Sequence, residues 1–177
     1  TSISSQYPND TLHYDKIDED GAGDGDSTCV YTDSESYERD LYALPASTGS
    51  GTINKITVYF RFRSLTSDNT VHAKASIKSN STVTDGTEKS TTYNTYQLES
   101  QVWSTNPADG EAWTWADIDA LEIGVSLSTP STTNSRCTQV WVEVEYATEL
   151  TKTYTVDAML EDTFTKTHDI DAMLEKT

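Results

Sequence analysis

Apolar and polar side chains alternate along several short stretches of the chain, and the longest alternation runs over residues 52–63. Ile56, Val58, Phe60 and Phe62 take one face of an extended backbone there, while Lys, Thr, Tyr and Arg side chains take most of the other. Successive side chains of a β-strand point to opposite faces, so a period of two predicts a strand with one buried face. We therefore expect a strand over 52–63 to lie against the core.

Other short runs rich in Thr, Val, Ile and Tyr, separated by Gly, Asn, Asp and Ser, predict seven further strands. One short helix is predicted within 112–120, where Thr114 is placed to cap and Trp115 and Ile118 share a face. This pattern predicts an all-β fold, a jelly-roll-like antiparallel β-sandwich, over residues 1–147. The seven further strands are 28–32, 40–43, 72–78, 87–90, 94–98, 121–128 and 138–146.

Residues 148–177 form a C-terminal tail that contains the same pattern twice. Thr-Lys-Thr-Tyr-Thr-Val-Asp-Ala-Met-Leu-Glu at 151–161 returns fourteen residues later as Thr-Lys-Thr-His-Asp-Ile-Asp-Ala-Met-Leu-Glu at 165–175. With a period of two, each copy has an apolar face, interrupted by one Lys, and a Thr/Asp face. With a helical period, Val/Ile, Met and Leu make a short stripe instead. We expect an extended first part, followed by more strand or by one helical turn.

The apolar side chains of this tail have no evident partner in a domain that is already complete. A strand can add to the edge of a neighbour's sheet, and a head-to-tail contact that does not close on itself produces a filament. Folding back onto the same sandwich and acting as a linker are the alternatives. The tail side chains predicted to contact a neighbouring subunit are Leu150, Tyr154, Val156, Leu160, Phe164, Ile170 and Leu174.

The charge balance narrows the classes of partner. The net charge is -17, and only 34% of the residues are hydrophobic. Nucleic-acid binding needs a basic surface, so no nucleic-acid partner is expected. No apolar stretch approaches the roughly 20 residues that span a bilayer, so no membrane insertion is expected.

Several features favour an extracellular, disulfide-bonded and glycosylated protein. The sequence begins Thr-Ser-Ile, which fits a recombinant product or a secreted chain whose signal peptide has been removed. Asn9 and Asn80 head N-x-S/T sequons. A jelly roll brings its first and last strands together, so Cys29 and Cys137 are predicted to form a disulfide worth about 4.7 kcal/mol. Two separate buried thiols are the alternative.

An acidic, Gly-rich loop partly matches a calcium-binding loop. Counted from Asp18, carboxylates fall at positions 1, 3, 7 and 9 (Asp18, Asp20, Asp24 and Asp26), with Gly at position 6. Position 12, where a bidentate Glu belongs, is Cys29. The loop is therefore interpreted either as a solvated turn or as a weak Ca²⁺ site, and no other cofactor is expected.

No set of residues indicates an enzyme. His13, His72 and His168 lack metal-ligand spacing, and no nucleophile elbow or phosphate-binding loop is present. Carboxylates are so abundant that a chance pair has no meaning. We therefore expect no catalytic activity.

Trp103, Trp113, Trp115 and Trp141 have two interpretations. Large aromatic side chains usually pack in or around a core. Exposed indoles can instead stack on sugars, and three of the four lie in one Pro/Gly-containing region. Glycans are therefore candidate partners.

Five stretches together resemble a jelly-roll domain found in structural and surface proteins of tailed viruses and archaea. They are 15–19, 39–45, 52–59, 113–127 and 135–146. The Tyr-Thr-Val-Asp-Ala-Met-Leu tail is similar to repeats appended to such domains. The resemblance implies assembly or adhesion and carries no catalytic residues. The chain is also similar in plan to archaeal surface filaments whose β-sandwich subunits are joined by donated strands.

Together these observations predict a structural subunit of an extracellular filament, at a cell or virion surface, which polymerises with itself by inserting its tail into neighbouring subunits. The alternatives are a viral tail, fibre or adhesion component, and a carbohydrate-binding module that uses the Trp-rich loop.

Overall fold

A computed structural model of the chain describes residues 2–10, 12–18, 23–130 and 132–148. Within these residues the protein has ten strands, a short 3₁₀ helix at His13–Lys16 and one short α-helix. The elements are β1 Ser5–Tyr7, β2 Cys29–Thr32, β3 Glu38–Ala43, β4 Thr52–Ser64, β5 Val71–Ser79, β6 Thr82–Asp85, β7 Lys89–Thr91, β8 Gln97–Trp103, α1 Trp115–Asp119, β9 Glu122–Ser128 and β10 Ser135–Ala147.

The strands form two antiparallel sheets. The first sheet has the order β1-β2-β10-β4-β8, and the second has the order β3-β9-β5-β6, with β7 also paired to β5. The strands β2 and β10, far apart in sequence, are neighbours. The predicted all-β, jelly-roll-like sandwich is confirmed.

The central pair of the first sheet, β4 and β10, supplies much of the core. On β4, Ile56, Val58, Phe60 and Phe62 are all at most 1% exposed, as the alternation predicted. The partner β10 runs antiparallel to β4 over its whole length, with β-bulges near its two ends. The period-two pattern therefore places one face of the first sheet against the second sheet.

The second sheet packs its own alternate side chains against that face. Ala73 and Ala75 on β5 and Val125 on β9 are almost fully buried. Gly124 lets β3 approach closely, because a Cβ there would lie 1.8 Å from the carbonyl oxygen of Asp40. A larger residue at 124 would therefore push β3 away from β9.

The short helix α1 lies within the predicted range 112–120 and begins after Thr114. The Thr114 hydroxyl accepts a hydrogen bond from the Asp117 backbone N–H at 3.1 Å, and the Thr114 backbone N–H donates to the Asp117 carboxylate at 3.0 Å. This is a capping box. Its Ile118 is buried in the core. No helix in the part of the chain that the structure describes is long and apolar enough to cross a membrane.

Two strands, β1 and β6, were not predicted. Both are short, and β6 follows β5 through a turn in which Asn80 and Ser81 have positive φ angles of 47° and 68°. Tight hairpins usually place Gly in one of these positions, so Asn-Ser gave little signal. In addition, β8 begins at Gln97 and extends to Trp103 beyond the predicted 94–98.

Candidate functional site

Among the residues that the structure describes, the last strand, β10, is covered along its first half and open along its second. Ser135–Cys137 pair with β2, and the Val140 N–H donates to the Ile17 carbonyl at 3.1 Å. Farther along, no residue that the structure describes pairs with 141–147 on the side away from β4. We call this free backbone edge, together with the side chains of Val142 and Val144, the open flank.

In the open flank, backbone groups have no hydrogen-bond partner among the described residues, and the side chains are only partly buried. The Val140 N–H points away from β4, and hydrogen-bonding direction alternates along a strand, so the N–H and C=O groups of Val142 and Val144 point the same way. Their side chains face the core, because they lie opposite Val58 and Ile56, but both are only half-buried. An edge of this kind is a template for another strand.

The end of β10 is held firmly at the point where the tail begins. The Trp115 and Tyr146 rings pack edge to face with centroids 5.0 Å apart, and the Trp115 Nε1–H donates to the Gly51 carbonyl at 2.9 Å. A Cβ on Gly51 would lie 2.1 Å from the Ala147 carbonyl oxygen. These contacts hold the end of β10 against Trp115 and Gly51.

At the covered end of β10, the outer face of the first sheet carries a charged cluster. The Arg63 side chain, 7% exposed, donates from Nη2 to both carboxylate oxygens of Asp26 at 2.7 Å and from Nη1 to three backbone carbonyls. Burial would raise the pKa of Asp26, but the hydrogen bonds and charge of Arg63 hold it below its usual value. The cluster ties the acidic loop to the sheet.

The predicted disulfide between Cys29 and Cys137 is absent, and both residues are buried thiols. Cys137 lies opposite Val30 and faces the core with it. Cys29 precedes Val30 and therefore faces the other side of the sheet, where Arg136 and Asp26 lie near it. Burial raises the pKa of the Cys29 thiol. The disulfide prediction is therefore wrong, because Cys137 lies opposite Val30 rather than Cys29, and the alternative of two separate buried thiols holds.

The acidic loop that partly matched a calcium site is described on both sides of a gap that contains Asp20. Asp24 accepts from the Thr28 hydroxyl at 3.0 Å, Asp26 binds Arg63, and Asp18 bridges to β10. Among the residues that the structure describes, no group of three or more His, Cys, Asp or Glu is placed to hold a metal ion. Weak Ca²⁺ binding stays a prediction because Asp20 lies outside them.

Both predicted glycosylation residues are exposed. Asn9 follows β1, and Asn80 lies in the β5–β6 turn, where its Nδ2 is 3.4 Å from Asp117. Their accessibility fits a modification site, and glycosylation itself stays a prediction.

The tryptophans separate into buried and surface positions. Trp103 and Trp113 are 9% and 4% exposed, and the Trp113 Nε1–H donates to the Trp103 carbonyl at 3.0 Å, so they are packing residues. Trp141 is half-buried on the outer face of the first sheet and stacks on Tyr59, with centroids 5.0 Å apart and planes 11° apart. Along β10, Trp141 alternates with the core-facing Val140 and Val142.

An open groove of about 490 Å³ lies between the N-terminal segment and β3. Asp40, 6% exposed, accepts from the Ser2 hydroxyl at 2.6 Å and from the Ile3 N–H at 3.1 Å, and it pairs with His13. The carboxylate therefore lies between the hydroxyl and the imidazole. A nucleophilic triad needs the imidazole in the middle, so this order does not activate Ser2.

The predicted tail contacts lie outside the described residues and stay predictions. They are Leu150, Tyr154, Val156, Leu160, Phe164, Ile170 and Leu174.

Comparison with known proteins gives little for function. No family model matches the chain, and no curated protein matches it. Among solved structures it is similar to the N-terminal endo-1,4-β-D-xylanase 10B of Clostridium thermocellum, CBM22-1–GH10 modules complexed with xylohexaose. The identity is 13% and the TM-score 0.41, over 81% of this chain and 26% of that one. The chain thus spans about a quarter of that protein, and no functional conclusion follows.

Proposed function

We propose that this chain is a structural subunit of an extracellular filament that polymerises with itself, head to tail, by donating its C-terminal tail to neighbouring subunits. The observation that carries the proposal is that a twice-repeated tail, whose alternation predicts one apolar face, follows a strand with an edge that no described residue pairs. An added strand would gain main-chain hydrogen bonds along the edge and apolar contacts on one face.

The proposal is supported by the completeness of the sandwich core. The largest fully buried side chains among the described residues, Phe60 and Phe62, are at most 1% exposed. The apolar tail side chains are therefore not required to fill the centre of the domain. Burial against another subunit would remove them from water, a favourable change of about 25 cal/mol per Å².

Charge supports a specific contact rather than general aggregation. A net charge of -17 makes subunits repel each other at long range. The association must then be held by short-range contacts, such as those of an added strand. In this proposal, the Thr/Asp face of the tail stays in water, and the exposed Asn9 and Asn80 sequons lie on the outside of an extracellular assembly.

The tail's two faces provide the test. Val156→Asp with Ile170→Asp places two charges on the apolar face, whereas Thr153→Asp with Thr167→Asp places the same charges on the opposite face. Both variants change net charge equally, so only the face differs. We expect filaments from the wild-type chain and the Thr variant, and single subunits from the Val/Ile variant, by sedimentation and electron microscopy. Equal assembly of both variants would contradict the proposal.

A second candidate function is sugar binding on the outer face of the first sheet. The stacked Tyr59–Trp141 pair is half-buried there, and the Arg61–Gln139 hydrogen bond of 2.9 Å lies beside it. An indole edge with flanking polar groups can bind a glycan. Binding by single subunits on a glycan array, lost in Trp141→Ala and kept in the Val156→Asp, Ile170→Asp variant, would favour this function.

A viral tail or fibre component would use the same tail on a different acceptor. That role predicts single subunits for every variant in isolation. Assembly of the wild-type chain alone would therefore exclude it as the main explanation.

A further inference from the structure

We propose that the open flank of β10 is the acceptor for the tail and that its occupant is the tail of a second copy of this chain. This inference rests on the proposed function and assigns the contact surface that it needs. The tail would lie beside 141–147 as an additional strand of the first sheet, with its apolar side chains over Val142 and Val144.

The first reason is that two kinds of incomplete cover coincide at this place. The N–H and C=O groups of Val142 and Val144 point away from β4, and no described residue bonds to them. The side chains of the same two residues face the core yet are only half-buried. A strand with one apolar face would satisfy both needs at once.

The competing edge, β8, lacks this coincidence. It is also an outer strand of the first sheet, since it pairs with β4 alone among the described strands. Its core-facing Trp103 is already buried, with only 9% of it exposed. The Gln101 side chain accepts a hydrogen bond from the Thr87 N–H at 2.9 Å across the gap to the second sheet. On its core-facing side, the β8 edge therefore leaves less apolar surface for a donated strand to cover, and its exposed Leu98 and Val102 lie on the outer face of the sheet.

The tail of the same copy is a poorer occupant than the tail of a neighbour. To pair with its own β10, the chain would have to reverse just after Ala147. Residues 147–153 read Ala-Thr-Glu-Leu-Thr-Lys-Thr and contain no Gly, Pro, Asn or Asp. Tight hairpin turns favour Gly, Pro, Asn and Asp, because these four residues tolerate or preset the turn backbone angles. The contact of Ala147 with Gly51 also fixes the end of β10.

Proline substitutions at the two edges separate the alternatives. The Val144 N–H points away from β4, so Val144→Pro removes an edge donor and leaves the hydrogen bonds to β4 in place. By the same alternation, the Ser100 N–H points away from β4 on the β8 side. Ser100→Pro is thus the matched control. Val144→Lys is a second variant that keeps the backbone complete and places a charge in the flank.

The experiment measures the assembled fraction of each full-length chain by sedimentation, after thermal unfolding has shown that it is folded. We expect wild type and Ser100→Pro to assemble, and the critical concentration for assembly of both Val144 variants to rise by about tenfold or more. Assembly lost in Ser100→Pro and kept in the Val144 variants would place the acceptor at β8 and overturn this inference alone. Single subunits from the wild-type chain would overturn the proposed function and this inference with it.

Discussion

The two halves of β10 belong to one strand but have different surroundings. In the first half, Ser135, Cys137, Thr138 and Gln139 are all at most 4% exposed, although three of the four are polar. In the second half, even the core-facing Val142 and Val144 are only half-buried. The difference comes from what lies alongside, since β2 and the segment ending at Ile17 cover the first half.

This comparison shows that burial in this sandwich depends on lateral cover as well as on the facing sheet. Polar side chains can be buried in the first half because neighbouring strands and loops supply hydrogen-bond partners, such as the Thr28 carbonyl for the Thr138 hydroxyl at 3.0 Å. The open half has the stronger apolar alternation and the weaker cover. It is therefore the part of the strand best suited to bind something else.

The largest contrast in stability is expected between a core residue opposite the covered half of β10 and a residue in the open half. Phe62 lies opposite Cys137, and its replacement by Ala should lower the unfolding free energy by about 3–5 kcal/mol. Val144→Ala, in the open half, should cost about 1 kcal/mol or less because its side chain is only half-buried. Urea denaturation of single subunits, prepared in the Val156→Asp, Ile170→Asp background, measures both. Equal losses would remove the distinction between the halves.

The charged cluster gives the next largest effect. Arg63→Ala should lower stability by about 2–3 kcal/mol, since it removes hydrogen bonds from a buried guanidinium to Asp26 and to three carbonyls. Arg61→Ala is the matched control on the same strand, where one side-chain bond to Gln139 is lost, and should change stability by about 0.5 kcal/mol. A similar loss for both would mean that the cluster does not hold the acidic loop.

The same cluster makes part of the stability depend on pH. The pKa of Asp26 is lowered in the folded state from its ordinary 3.8, so the folded chain favours the ionised form. Its contribution is present above the unfolded pKa and is lost as pH falls through the folded one. We expect the wild-type melting temperature to fall more steeply than that of Asp26→Asn below about pH 4. Parallel curves would assign the acid sensitivity to other carboxylates.

The smallest expected effect concerns the two thiols. Cys29 and Cys137 are both buried and are not joined by a disulfide, and burial raises the pKa of the Cys29 thiol. Neither should react with a maleimide in the native state, and both should react after unfolding without a reductant. Mass spectrometry counts the labels. A chain that stays unlabelled when unfolded would show that the two cysteines form a disulfide.

The sequence predicted those features that depend on strong local patterns. The alternation over 52–63 identified β4 and its buried face, and Thr114 marked the start of α1. The β6 hairpin was missed because its turn uses Asn80 and Ser81 rather than glycine. The disulfide was wrong because neighbouring strands were predicted without their register, and a shift of one residue moves a side chain to the opposite face.

The open flank could not be predicted from the sequence. It arises because β2 has four residues and β10 has thirteen, so that β2 covers only one end of its neighbour. Strand lengths can be estimated from patterns, but the alignment of a short strand along a long one depends on tertiary contacts. Trp141 was predictable as a surface residue, since it alternates with Val140 and Val142, but its stacking on Tyr59 depends on cross-strand pairing.

Amide hydrogen exchange at Val142 and Val144 tests the central claim most directly. In the wild-type assembly, we predict that these two amides exchange more slowly than in the Val156→Asp, Ile170→Asp variant by on the order of a hundredfold, because a donated strand accepts their hydrogen bonds. Amides on the β8 edge, such as that of Ser100, serve as the internal control and should exchange alike in both. Equal exchange at Val142 and Val144 in the assembled and single chains would contradict strand donation at this flank.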